Sequence, residues 1–456
     1  RKLYLFHLTI NLHMKNLQYL LSGGLVLFSS SLFAQIVYSD GALLSFKAGS
    51  IVHCNGGAHL NNSTLLTNDG DFTISKNSSL TLAGTLFLGP NSISSGNGDY
   101  RVEQDWINDG QFNGDNSRVH LYGNTEQFIT SNTSVITVFN DLILTGIGTG
   151  VNRRKTLDNV HSAVGNNGKF TINDRELYTQ GNNVYVYNTS LNAITNSTAF
   201  GQEGFVSSDV PGYLYRNTAA NGSYLFPVGS SNGTLRYRPV EITPGTANPG
   251  ENGCRLNNYL ADVDGYNLAQ KESTIDLANT NFYHSIVRSA GNNNADIAIS
   301  YLPSADGNWD GIANWNNSGS QWSALSIISI GALGSYSQLQ RSAWDFSLDQ
   351  PYILTTPLEE ITIPTAFTPN SDGVHDTWEI FNLDEAYPKN IVRIYNRWGG
   401  LLYEHDSSVD GPYNLNAWKG DYNGEQMPVA SYYFIIEMND PNERVESGTI
   451  SILLEK

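Results

Sequence analysis

The chain has 456 residues, too many for one ordinary domain, so about two to four folding units are expected. Its 43 glycines, 25 tyrosines and low charged fraction of 15% fit an extended all-β protein with many turns. A formal charge of −18 argues against nucleic acid and anionic membrane surfaces as partners; it favours solubility and, more weakly, calcium.

The first methionine is Met14, and residues 1–13 lie upstream of it. From there the chain reads MKNLQYLLSGGLVLFSSSLFAQ, a lysine followed by an apolar stretch that ends in small residues. This reads as a secretory signal cleaved between Ala34 and Gln35. Without residues 1–34 the chain keeps 22 basic and 43 acidic residues, a net −21. No other apolar run is long enough to cross a bilayer as a helix, so an integral membrane protein is not expected. Export would permit a disulfide between Cys54 and Cys254, but two separate buried thiols fit equally well. Neither cysteine has a partner at metal-ligand spacing.

Residues 35–205 carry short strand-like runs between polar turns. A local pattern recurs as NDGDFTI from Asn68, NDGQFNG from Asn108 and NNGKFTI from Asn166, with starts 40 and 58 residues apart. These separations suggest a unit near 20 residues, the length of one coil of a parallel β-solenoid. Phe72, Phe112 and Phe170 are then expected at equivalent inward positions. The bland alternative is an ordinary sandwich with common Asn-Gly turns. The stretch SRVHLYGNTEQFI followed by VFNDLIL resembles a repeat of large exported surface proteins of the Bacteroidetes, a likeness that covers roughly residues 110–242. It implies an adhesin-like surface protein with no chemistry attached.

Residues 206–357 change texture. LRYRPVEITP, NFYHSIVRS, ADIAISYLP, SQWSALSII and PYILTT are strand candidates at sandwich-like spacing, with Trp309, Trp315, Trp322 and Trp344 between them. TTPLEE reads as a short linker.

Residues 358–456 alternate clearly. Val392, Ile394 and Trp398 are expected on one face, with Arg393, Tyr395 and Arg397 on the other; Tyr432, Phe434, Ile436 and Met438 share a face, as do Ile450, Ile452 and Leu454. An Ig-like β-sandwich is expected. Four motifs occur here in order: IPTAFTPNSDGVHDTWEI, RIYNRWGGLLYE, WKGDYNGEQMPVASYYFII and GTISILLEK. Together they resemble the gliding motility-associated C-terminal domain, the type B sorting signal of the type IX secretion system. The resemblance implies a cargo protein recognised by the translocon and an accessory protein at the outer membrane, then released or retained at the cell surface. Three positions depart from the family pattern: His375 replaces a usual asparagine, Lys419 an aspartate, and Ala430 a common glycine. The first two weaken any metal role, and the third suggests a turn that does not need positive φ.

The search for chemistry yields little. Asn370, Asp372 and Asp376 follow an N-x-D-G-x-x-D spacing that would place oxygen ligands around a glycine turn, as calcium requires. The same residues can instead close Asx turns onto backbone amides, the favoured reading, so no cofactor is expected. DGNWDG offers Asp306 and Asp310 beside Trp309 as a carboxylate pair for a polysaccharide-cleaving site, but two aspartates in glycine turns with a core tryptophan is the favoured reading. His53 and His59 match no zinc pattern, and Arg153, Arg154 and Lys155 read as a solvated basic loop. The face formed by Arg393, Tyr395 and Arg397 is the candidate contact surface, with pairing of Arg397 inside the domain as the alternative. The sequence thus predicts no catalytic residues. It predicts an exported structural or adhesive protein, or alternatively a carbohydrate-binding or carbohydrate-active one, with a glycan or surface-protein ligand.

Overall fold

The computed structural model describes residues 36–79, 83–219, 222–245, 250–291, 294–346, 350–358, 360–439 and 444–453, and the backbone of 26–28 and 32–34. Leu454 and most of the expected secretory signal lie outside the described residues. The two short strands Val26–Phe28 and Leu32–Ala34, within that expected signal, pair in parallel with Leu43–Phe46 and Ile51–Asn55. The chain divides into two compact units, Arg1–Lys271 with Ala278–Thr355, and Glu272–Leu277 with Thr356–Lys456.

The first unit begins as a parallel β-solenoid with three strands per coil. Strands of the first face run from Val26–Phe28 to Gln111–Phe112 in one ladder and from Thr137–Phe139 to Leu214–Thr218 in the next, those of the second from Leu32–Ala34 to Ile194–Asn196, and those of the third from Val37–Asp40 to Phe205–Ser207. Third-face strands start at Val37, Ala58, Leu86, Trp106, Gln127, Arg154, Glu176 and Phe205, so coils vary from 20 to 29 residues. Alternation sends every second side chain inward, where equivalent positions stack in columns. One column on the second face runs in register through Val52, Phe72, Tyr100, Val119, Leu142, Phe170 and Ile194, all buried.

Phe72 and Phe170 therefore occupy the equivalent places expected of them, whereas Phe112 does not. It is buried, but on the first face, paired with Ser94. The recurring Asn-x-Gly pattern marks corners of the coil rather than one particular corner. Asn68 Oδ1 accepts from Gly70 N at 3.2 Å, and Asn108 Oδ1 from Gly110 N at 3.2 Å, at different corners. The glycine is needed for a common reason, close approach of the preceding coil. A Cβ on Gly70 or Gly110 would lie 2.5 Å from the carbonyl oxygen of Ser50 or Ser92, and one on Gly168 would lie 1.7 Å from that of Asn140.

The boundary expected at residue 205 does not interrupt the sheet. Leu214–Thr218 pairs in parallel with Val184–Val186 on one side and antiparallel with Gly250–Asn257 on the other. The first face thus continues into an antiparallel sheet through Tyr283–Ala290, Gln350–Pro357, Gly311–Asn316 and Gln321–Leu325. A second antiparallel sheet is built from Tyr224–Phe226, Val240–Pro244, Ala295–Tyr301, Tyr336–Trp344 and Ser329–Leu333. Solenoid and sandwich share one hydrophobic core, reaching from Val37 to Leu354. Trp315 and Trp322 face each other across a strand pair, with ring centroids 5.5 Å apart. Cys54 and Cys254 are free and buried.

The second unit has its own core. Its five-stranded sheet runs in the order Ala366–Phe367, Val445–Ile452, Ser431–Glu437, Ile391–Tyr395 and Leu401–Asp406. The first pair is parallel and the rest are antiparallel. The inner face carries Val392, Ile394, Tyr432, Phe434, Ile436, Ile450 and Ile452. The covering layer is mostly irregular chain that supplies Trp378, Ile380, Leu383, Tyr413 and Trp418, all buried. Trp378 packs on Phe434 with ring centroids 5.0 Å apart.

Candidate functional site

The outer face of the terminal sheet presents two unlike ends. At one end Arg393 is held by two carboxylates, Glu404 and Glu437, the latter at 2.6 Å. The hydrogen bond to Glu404, reinforced by Glu437, raises the arginine pKa. Its charge is thus neutralised inside the domain, which weakens its role as a contact residue. At the other end the strand Ile391–Tyr395 stops and the chain turns. Asn396 Oδ1 accepts from Trp398 N and from Gly400 N, each at 2.9 Å, and fixes the turn.

This turn corrects one expectation. Trp398 does not share the buried face of Val392 and Ile394; it stands 83% exposed at the hairpin tip. Alternation ends where Asn396 begins the turn, and Asn-x-x-Gly-Gly was the signal that could have shown it. The Arg397 guanidinium lies over the indole, 5.5 Å from its centroid. Among the described residues, no ion pair joins Arg397 to a carboxylate. Beside the tip an open groove of about 720 Å³ is lined by Tyr395, Arg397, Tyr433, Ile435, Ser447 and Thr449. Tyr433, 51% exposed, was not singled out from the sequence.

The Asn370–Asp376 loop is closed by its own backbone. The Asp376 carboxylate accepts from the backbone N–H groups of Asn370, Ser371 and Gly373 at 3.1, 2.6 and 2.7 Å. Asp372 accepts from Val374 N at 2.8 Å and from the Asn370 side-chain amide at 2.9 Å. These hydrogen bonds, the Asn370 contact first, hold the Asp372 pKa below the usual carboxylate range. Asn370 Oδ1 and Asp372 Oδ1 each accept from the N–H two residues on, the form of an Asx turn, while Asp376 gathers N–H groups from earlier in the loop. His375 has φ 52°, in the left-handed region that histidine, like asparagine, enters more often than most residues. Ala430 is not left-handed, in line with its side chain.

The remaining candidates lie apart. Asp306 is buried and paired with Arg238, whose Nη2 donates to Oδ1 at 2.7 Å, and Trp309 Nε1 donates to the Asp306 carbonyl at 2.9 Å. Asp310 is exposed, whereas Asp306 is buried and committed to Arg238. His53 bonds Ser75 on the second face, while His59 packs against Phe87 on the third. The Arg153–Lys155 cluster is not a solvated loop. Arg154 pairs with Glu176 at 3.2 Å, Arg153 lies over the Phe205 ring, and Lys155 is fully buried. The cause is alternation within Arg154–Asp158, which turns Lys155 inward.

The fold is that of an all-β protein whose terminal unit has a core of its own. Residues 361–452 match the model of one family, the CHU_C Type IX secretion signal domain. The terminal unit is thus a type IX sorting domain, which implies interaction with that secretion machinery and export to the cell surface or the extracellular space. No curated protein and no solved structure matches the chain. Among the described residues, no helix is long and apolar enough to cross a membrane.

Proposed function

We propose that the protein is a structural or adhesive surface protein rather than an enzyme. A secretory signal up to Ala34 carries it to the periplasm, and residues 358–456 direct it onward across the outer membrane. The observation that carries this reading is the continuous solenoid-to-sandwich body with one core, joined to a terminal unit with a core of its own. A long parallel ladder gives an elongated, rigid surface on which rows of side chains repeat from coil to coil. Rigid display of such rows suits contact with an extended ligand or a neighbouring surface.

A second reading, binding of polysaccharide, is favoured by one row. Tyr38, His59, Phe87 and Ile107 lie in register on the outer third face, and Tyr38 is 45% exposed. Flat rings at successive strands can support sugar rings. The test is purified residues 35–360 on glycan and matrix-protein arrays, with a polysaccharide-degradation assay alongside. Binding without degradation supports the proposal, and binding to glycans alone selects the second reading. Release of sugar fragments would overturn both.

A further inference from the structure

The hairpin tip of the sorting domain is built as a rigid anchor. Trp398 is 83% exposed, yet its backbone is fixed by Asn396, so little ordering remains to be done when it is buried by a partner. Arg397 covers one face of the indole at 5.5 Å and adds a cation to it. The contrast with Arg393 matters: that arginine is neutralised by Glu404 and Glu437, whereas Arg397 is displayed on a domain whose residues 361–456 carry six basic and fifteen acidic side chains, a net −9. Beside the pair, Tyr395 and Tyr433 line the groove of about 720 Å³. Trp, Arg and Tyr are the residues over-represented among those that carry most of the binding energy of an interface.

We propose that Arg397 and Trp398, with Tyr395 and Tyr433 flanking them, form the contact by which the export machinery reads this domain. The proposal rests on the sorting reading and deepens it. The partner is a protein surface with an apolar pocket that takes the indole edge and a carboxylate that meets Arg397. An exposed guanidinium stacked on the indole, unlike Arg393 not joined to a carboxylate among the described residues, suits a local negative group, while the net −9 opposes attachment to an anionic lipid leaflet.

The experiment uses the full chain in a host with the secretion system and measures the share of protein outside the cell against the share held in the periplasm. Trp398→Ala and Arg397→Glu should each lower export by about tenfold. Leu415→Ser, at a residue 81% exposed elsewhere on the domain, should leave export unchanged. All three variants should melt within a few degrees of the parent, because each alters an exposed side chain. Normal export of both tip variants, with export abolished by deletion of residues 361–456, overturns the contact proposal and leaves the sorting assignment standing. Normal export of the deletion overturns both. Co-sedimentation of the purified protein with mixed phosphatidylethanolamine and phosphatidylglycerol vesicles should be absent; binding that is lost in Trp398→Ala would replace the protein partner with a membrane.

Discussion

Gly448 stands directly opposite Phe434 in the terminal sheet, and a Cβ there would come within 2.8 Å of the phenylalanine ring. That ring already packs on Trp378, with centroids 5.0 Å apart. Gly448→Val should therefore destabilise the domain by about 1–3 kcal/mol, read from the denaturant midpoint. The neighbouring Asn370–Asp376 loop gives a prediction of the opposite kind. Its carboxylate oxygens are engaged by backbone N–H groups. The melting temperature of residues 358–456 should thus be the same with millimolar calcium as with chelator. A rise of more than a few degrees with calcium would reinstate a metal site, because a ligand bound only by the folded state stabilises it. The acidic spacing was legible in the sequence; which way its oxygens point was not, since identical residues can face a cation or their own amides.

A coil of the solenoid is the next scale, and its corners and interior make separate demands. Gly168 has no room for a side chain, the Asn140 carbonyl oxygen being 1.7 Å from where a Cβ would lie. The obstacle is backbone, so Gly168→Ala should cost about 3 kcal/mol or more and lower the yield of folded protein. The interior supplies a pH dependence. Lys155 is buried, donates to the Gly123 carbonyl at 2.9 Å and to Gln127, and burial lowers its pKa from 10.5 to about 7. The unfolded chain thus binds more protons than the folded one between these values. Stability from this group is fully present above the unfolded pKa and is lost as pH falls toward 7, by on the order of 3–5 kcal/mol. Lys155→Met should remove that slope. Denaturation at pH 6 and pH 9 should show a larger difference between the two pH values for the parent than for the variant; equal differences would mean that Lys155 is solvated. The basic cluster had looked like a surface loop because charge suggested exposure, but strand register overrode charge.

At the scale of the whole molecule the two units carry separate tasks. The terminal unit buries Trp378, Trp418, Tyr413, Phe434 and their neighbours in a core of its own. Expressed alone, residues 356–456 should unfold in one cooperative transition, with fluorescence and circular dichroism coincident. Removal of residues 361–456 from the full chain should leave a folded body in the periplasm. Fusion of the same residues, through a long linker, to a signal-bearing fluorescent protein should carry that protein outside. A truncated chain that reaches the medium at the normal level would end the sorting assignment.

The sequence by itself determined what depends on local pattern. Alternation in SYYFIIEMN named the inner face of the terminal sheet, with Tyr432, Phe434, Ile436 and Met438 all buried. The repeated Asn-x-Gly-x-Phe stretches announced parallel coils, and four ordered motifs announced the sorting domain that the family match also finds. Only the tertiary structure decided matters set by contacts distant along the chain. It placed Phe112 on a different face from Phe72 and Phe170, because two different corners of the three-sided coil use the same Asx turn. It ran the solenoid into the sandwich through Leu214–Thr218, since a strand can pair in parallel on one edge and antiparallel on the other. It buried Asp306 against Arg238, 68 residues away, and left Trp398 exposed beyond the end of its strand. Periodicity fixes which side of a strand a residue faces while the strand lasts; where a strand ends, and what lies across from it, is settled by packing.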